Sequence, residues 1–346
     1  MERTEIQDLG EFGLIRKLTE GLQKKQPSSL LGVGDDAAVI DPLGKRVVVS
    51  TDMLVEGVHF DLSYAPLKHL GYKAVISNLS DICAMNALPT QIVIGLGISN
   101  RFSVEALEEL YMGVKLACEL YEVDLVGGDT TSSPSGLTLS VTAMGLVDAD
   151  KVVARSGASA GDLVVVSGDL GAAYMGLQVL EREKSVFAAA PTAQPELKDH
   201  SYILERQLKP EARTDIIREL SDLGVKPTSM IDVSDGLASE CFHLIGASGL
   251  GIRIYEDKLP IDEQVYNTAR DFNLDPTLCM LSGGEDYELL FTVKQEAFET
   301  IRNHPKLSII GHMTETAGER VMVTKNGQDV ELKAQGWDGI NKTHQG

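Results

Sequence analysis

Apolar residues first recur with helical spacing at Phe12, Ile15, Leu18 and Leu22, which predicts a leading helix over Glu11–Leu22 before a polar loop at Pro27–Ser29. Ala37–Ile40 and Val47–Ser50 are short apolar runs on either side of Asp41-Pro42-Leu43-Gly44, a pattern that predicts a hairpin whose second strand leads into Thr51-Asp52. Leu67–Met85 and Val104–Tyr121 carry helical periodicity. Ser103 is placed to cap the second, with Glu105 and Glu108 in its first turn. Gln91–Ile98 alternates as a strand, Val123–Val126 is an apolar strand meeting Gly127-Gly128-Asp129, and Leu137–Leu146 is another.

Glycine, serine and charge then punctuate Val152–Asp162, at Arg155-Ser156-Gly157-Ala158 and Gly161-Asp162. For a chain of 346 residues two domains are the better expectation, so we divide it into 1–150 and 151–346. The second half opens on a strand at Leu163–Ser167 and has an exposed loop at Pro191–Pro195. Val225–Asp232 leads through a turn into a helix near Gly236, and Ile252–Tyr255, Glu288–Val293, Ser308–Gly311 and Val321–Thr324 complete an α+β unit.

A composition of 43% hydrophobic and 24% charged residues is that of a chain that buries a sizeable core. Acidic residues outnumber basic ones 51 to 31, and the formal charge of -20 disfavours nucleic acid and anionic lipid as partners. A polyanionic substrate would need bridging cations, for which Mg2+ with carboxylates is suited; acidity that merely keeps the protein soluble is the alternative. The N-terminal residues lack an apolar core segment and no stretch approaches 18 apolar residues, so a cytoplasmic protein without membrane contact is expected. Cys83, Cys118, Cys241 and Cys279 are far apart and read as reduced core residues.

Aspartates recur where apolar runs give way to glycine-rich or polar turns. Asp35 and Asp36 follow Gly32-Val33-Gly34, Asp52 follows Val47–Thr51, Asp129 follows Gly127-Gly128, and Asp232 and Asp235 repeat the pattern. Taken singly each is equally a turn former or helix cap. If they converge, their repulsion calls for cations between them. The Asp232–Asp235 spacing does not match a calcium loop of the EF-hand kind. No Walker-type phosphate loop or protein-kinase motif set is present, so nucleotide binding would need a different cradle. His59, close behind Asp52, is the one histidine singled out, with a structural role as the alternative.

In order, Gly34-Asp35-Asp36-Ala37-Ala38, Ser50-Thr51-Asp52 through Gly57-Val58-His59-Phe60, Asn78-Leu79-Ser80-Asp81-Ile82, Gly127-Gly128-Asp129-Thr130-Thr131, Arg155-Ser156-Gly157, Ile231-Asp232-Val233-Ser234-Asp235-Gly236-Leu237 and Gly283-Gly284-Glu285-Asp286-Tyr287-Glu288 resemble the motif series of the thiamine-monophosphate kinase family. The resemblance spans about residues 10 to 340. It implies an α+β, two-domain fold like that of aminoimidazole-ribonucleotide synthetase, with a C-terminal α/β sandwich and N-terminal domains that pair into a homodimer around a joined β-barrel. It also implies direct transfer of the γ-phosphoryl group of ATP to thiamine monophosphate, without a phosphoenzyme, in the presence of several Mg2+ ions.

Position by position, the resemblance gives Asp36, Ser50, Thr51, Asp52, Asp81, Asp129, Asp232 and Asp235 as magnesium ligands, with Asp35 beside them. It gives Tyr111, Gly128, Asp129, Arg155 and Ser234 as ATP contacts and His59, Glu285 and Trp337 as contacts to thiamine monophosphate. Asp52, Asp129 and Arg155 are then the residues expected to serve catalysis. Trp337 could stack on a flat cationic heterocycle, or else anchor the C-terminus. Where the family usually has Ala-Met-Gly, this chain has Ala84-Met85-Asn86, and asparagine also tolerates a left-handed helix end. A second enzyme of the same ATP-binding superfamily and a non-catalytic acidic cation binder are the alternatives. Against selenophosphate synthetase or the hydrogenase-maturation dehydratase stands the lack of a cysteine before the first acidic motif or near the C-terminus.

Overall fold

The structure is a computed structural model that describes residues 4–33, 37–190, 192 and 194–334. It divides into two compact units, Met1–Ile82 with Ala87–Asp150, and Cys83–Asn86 with Lys151–Gly346.

The first unit runs α1 (Ile6–Thr19), β1 (Ser29–Leu31), β2 (Val39–Ile40), β3 (Arg46–Val55), α2 (Leu67–Ala84), β4 (Leu88–Ile98), α3 (Val104–Tyr121), β5 (Asp124–Ser132) and β6 (Leu137–Val147). Its main sheet has the order β3-β6-β4-β5, antiparallel except for the parallel β4–β5 pair. The sheet is open, with β3 and β5 as its edges, and no closed barrel forms among the described residues. Helix α3 starts where its sequence predicts, because the Ser103 hydroxyl accepts from the backbone N–H of Ala106. The leading helix lies earlier than expected and breaks at Gly10, whose φ of 64° is left-handed. Helices α2 and α3 cross backbone to backbone at Gly71 and Gly113; a Cβ on Gly113 would stand 1.8 Å from the carbonyl oxygen of Lys68.

The expected hairpin does not form. The turn is there, with Leu43 and Gly44 at φ of 54° and 77°, but β2 pairs with β1 while all ten residues of β3 pair with β6. A two-residue β2 offers little ladder, whereas β6 alternates buried and half-buried positions along its full length and supplies a complete one.

The second unit runs β7 (Leu163–Ser167), α4 (Ala172–Ala189), α5 (Ser201–Leu208), α6 (Thr214–Asp222), β8 (Ser229–Asp232), α7 (Leu237–Ser248), β9 (Gly251–Tyr255), α8 (Glu263–Asp271), α9 (Pro276–Ser282), β10 (Leu289–Val293), α10 (Phe298–Ile301), β11 (Leu307–Thr314), β12 (Arg320–Val323) and β13 (Asp329–Glu331). Its seven-stranded sheet has the order β13-β12-β9-β11-β7-β10-β8, antiparallel except at β12–β9. Val164, Val166, Ile231, Leu290 and Ile310 of the sheet share one core with Leu237, Cys241, Leu244 and Ile245 of α7. A second core joins Met175 and Val179 of α4 to Ile203, Val265 and Cys279. All four cysteines are buried and free, as their spacing suggested. Among the described residues no helix is long and apolar enough to cross a membrane.

Candidate active site

In the first unit the site is built where β3 passes under α2. Ser50 and Asp52 are two apart on the strand and so share a face. The Ser50 hydroxyl donates to Oδ2 of Asp81 at 2.6 Å, and the backbone N–H of Asp52 donates to Oδ1 of Asn78 at 3.0 Å. Asn78 is fully buried and its amide nitrogen is anchored on the carbonyl of Ala74, so both ends of that side chain are fixed. Burial, and then the neighbouring charge of Asp81, push the Asp52 carboxyl up to about 6. Asp81, on the adjacent element, is thus held close enough to oppose the ionisation of Asp52.

Asp52 lies inside β3 rather than at its end, since the strand runs on to Val55. Thr51 points to the opposite face, donating to the Val141 carbonyl and accepting from Thr142. Asp129 is also within a strand. β5 continues through Gly127-Gly128-Asp129 to Ser132 because Gly128 has no Cβ to meet the Ile94 carbonyl oxygen, which would lie 2.1 Å away. Asp129 stands exposed on the edge opposite to β3, three strand spacings or roughly 14 Å across the sheet, so the sheet does not bring it to Asp52. Tyr111 is buried in α3, and burial pushes its phenol up to about 12. His59 caps the end of β3: its Nδ1 accepts from the Val55 N–H at 3.0 Å, which puts the proton of a neutral ring on Nε2.

In the second unit β8 ends at Asp232, which is 3% exposed, and the chain turns through Ser234 and Asp235 into α7. Gly236 takes φ of 111° at that turn. The backbone N–H of Asp235 donates to Oε1 of Glu240 at 3.0 Å. Burial raises the carboxyls of both Asp235 and Glu240, the latter to about 7, and Arg155 opposes the rise in each. Arg155, Asp235 and Glu240 therefore form one electrostatic group.

A second loop, Gly283–Glu288, packs on this turn. The N–H groups of Glu285 and Tyr287 donate to the carbonyls of Ser234 and Val233, and Val233 donates back to the Glu288 carbonyl. Glu285 and Tyr287 both sit at left-handed φ, 66° and 53°, a conformation that costs side-chain-bearing residues of order 1 kcal/mol or more each. The side chains between and beyond them hold the loop. Buried Asp286 accepts from the N–H groups of Gly171 and Ala173 at the start of α4. Glu288, 1% exposed, takes two bonds from Arg213 at 2.8 and 3.0 Å and one from Arg206 at 2.9 Å.

Asp35, Asp36 and Trp337 lie outside the described residues. Among the described residues no three histidine, cysteine, aspartate or glutamate side chains gather as a metal site. Sequence reasoning assigned no part to Asn78, Glu240, Arg206 or Arg213. Asn78 sits inside one of the acidic motifs, three residues before Asp81 and hence on its helix face, which was the available signal. Nothing local marks Arg206 and Arg213, because their partner Glu288 is 82 and 75 residues away.

Residues 34–147 match the family model for AIR synthase related protein, N-terminal domain, and residues 159–324 that for the C-terminal domain. The chain is 35% identical to thiamine-monophosphate kinase of Aquifex aeolicus (strain VF5), over 96% of this chain and 98% of the relative. The crystal structure of thiamine-monophosphate kinase from Stenotrophomonas maltophilia K279a superposes with a TM-score of 0.75 at 31% identity, covering 91% of this chain and 95% of that one. The structure of AaThiL complexed with AMPPCP and TMP gives 0.72 at 33% identity, covering 97% and 99%.

Proposed function

The chain belongs to the thiamine-monophosphate kinase family, built on the two AIR synthase related domains, and from that premise we propose that it transfers the γ-phosphoryl group of ATP to thiamine monophosphate. The observation that carries the reading in this chain is the pair of carboxyls, Asp52 and Asp81, set against each other on β3 and α2. Hard carboxylate and hydroxyl oxygens suit Mg2+, and a divalent cation would offset both the burial and the repulsion that raise Asp52. Asp52, Asp81 and Ser50 fit that role on their positions. Asp35, Asp36, Thr51, Asp129, Asp232 and Asp235 are the remaining candidate ligands.

The acceptor is already an ionised phosphate, so the reaction needs no strong general base. An acceptor oxygen attacks the γ-phosphorus, the bond to the bridging oxygen breaks, and ADP leaves with that electron pair. Bound Mg2+ would supply charge neutralisation between the phosphoryl groups. Arg155, held in its group with Asp235 and Glu240, would stabilise charge on the transferring group as a fixed fork. Tyr111, Gly128, Asp129 and Ser234 would contact the nucleotide, and His59, Glu285 and Trp337 the acceptor. In this reading 1–150 is the ATP, magnesium and dimerisation domain, and 151–346 completes the nucleotide and acceptor sites.

The exposed face of β3, opposite to Ser50 and Asp52, supports a homodimer: there Val47, Val49 and Met53 are 47%, 59% and 59% exposed on an edge strand. Pairing of two such sheets would join them into the dimeric barrel. In this reading the protein is cytoplasmic, and a net charge of -20 speaks against nucleic-acid partners.

ADP release measured with ATP alone, with Mg2+, and with Mg2+ plus thiamine monophosphate tests the function. Turnover is expected only in the last case. ADP release that ignores thiamine monophosphate, or that free thiamine supports equally, would overturn the assignment.

A further inference from the structure

Gln207 is the last residue but one of α5 and is 6% exposed. Its Nε2 donates to Oε2 of Glu285 at 3.0 Å, while its buried Oε1 has no hydrogen-bond partner among the described residues. The amide cannot be reversed, because its carbonyl would then face a carboxylate. A buried carbonyl without a partner opposes folding, so this side chain is kept at a cost to stability and its amide makes its bond to Glu285 alone.

The surrounding backbone is arranged to permit that bond. Gly176 of α4 has no Cβ; one there would stand 2.1 Å from the Ile203 carbonyl oxygen and 2.8 Å from Cβ of Gln207. Its absence lets α5 lie close enough for the glutamine to reach the Gly283–Glu288 loop. There the main chain of Glu285 is already pinned at left-handed φ by its bond to Ser234. Gln207 in turn holds one oxygen of the carboxylate.

We propose that Gln207 is a positioning residue for the acceptor: it holds the Glu285 carboxylate in the orientation that meets the cationic heterocycle of thiamine monophosphate, without touching the acceptor itself. This rests on the reading of Glu285 as an acceptor contact. A preset carboxylate spares the cost of ordering it on binding, and its loss is felt in acceptor affinity rather than in the transfer step.

The test is a mutant cycle of Gln207→Met and Glu285→Gln in the full chain, with KM for thiamine monophosphate, KM for ATP, kcat and Tm measured for each. Gln207→Met, which keeps the volume and removes the donor, is expected to raise KM for thiamine monophosphate about tenfold, as the loss of one charged hydrogen bond would. KM for ATP and kcat should stay within about twofold, and the effect should vanish in the Glu285→Gln background. Gln207→Glu, which sets a like charge against Glu285, should raise the acceptor KM further. An unchanged acceptor KM, equal rises in both KM values, or an effect that survives Glu285→Gln would overturn the proposal. So would a Glu285→Gln variant with normal acceptor KM, while wild-type turnover that ignores thiamine monophosphate would overturn the functional reading and the proposal together.

Discussion

Replacing Glu288 by glutamine removes the one negative charge shared by two buried arginines. The glutamate is 1% exposed at the side chain, Arg213 8% and Arg206 11%, so water cannot take over the solvation of what is left. Breaking such a pair by removing one partner costs about 3–5 kcal/mol. The low end applies here, because Arg213 keeps two bonds to Asp215 at 3.1 Å and glutamine retains a carbonyl that can accept one bond. For a unit of this size, 1 kcal/mol moves Tm by about 2–4 °C, so a loss near 3 kcal/mol lowers Tm by roughly 6–12 °C. Thermal unfolding followed by circular dichroism measures it, and removing Arg206 in the same chain as Glu288→Gln, Arg206→Met should recover part of the loss. A single variant with Tm within about 2 °C of wild type would refute the argument that this charge is uncompensated when alone.

Three further outcomes are expected. Gly113→Ala forces a Cβ to 1.8 Å from the Lys68 carbonyl and should cost about 3 kcal/mol or more, whereas Gly246→Ala, in open space on α7, should gain about 0.5–1 kcal/mol; urea titrations would compare them. Because Asp52 titrates at about 6 when folded against 3.8 as its ordinary value, the metal-free fold holds the extra proton and loses stability as pH rises between them. Mg2+ should therefore stabilise increasingly over that window, and in Asp81→Asn the Asp52 value should fall only part of the way, since burial is the larger cause; Tm against pH and carboxyl NMR titration read the two. Val49→Lys, placing charge on the exposed β3 face, should shift the assembly toward monomers in sedimentation velocity without lowering the stability of the monomer by more than about 0.5 kcal/mol.

What was legible in the sequence is what short-range chemistry decides. Val104–Tyr121 was readable to the residue because its period, its serine cap and its first-turn glutamate all agree. The acidic motifs could be read as a set, and Asp52 and Asp81 do meet, but the reason is tertiary: β3 lies under α2, which nothing near either residue encodes. The hairpin failed for the same reason, since a turn reverses the chain without choosing its partner, and β6 outcompeted β2. Asp129 looked like a turn residue because Gly127-Gly128 normally ends a strand, whereas here the missing Cβ admits a neighbouring strand closely.

The pairing of β3 with β6 also has a consequence in time. Thr51 and its strand partner Thr142 are 91 residues apart in the chain. At about 5–20 residues per second, a ribosome needs roughly 5–20 s to deliver the second strand after the first has emerged. Through that interval Val47, Val49 and Met53 belong to a ten-residue strand with neither its ladder nor its cover, a segment whose handling during synthesis calls on whatever shields nascent chains.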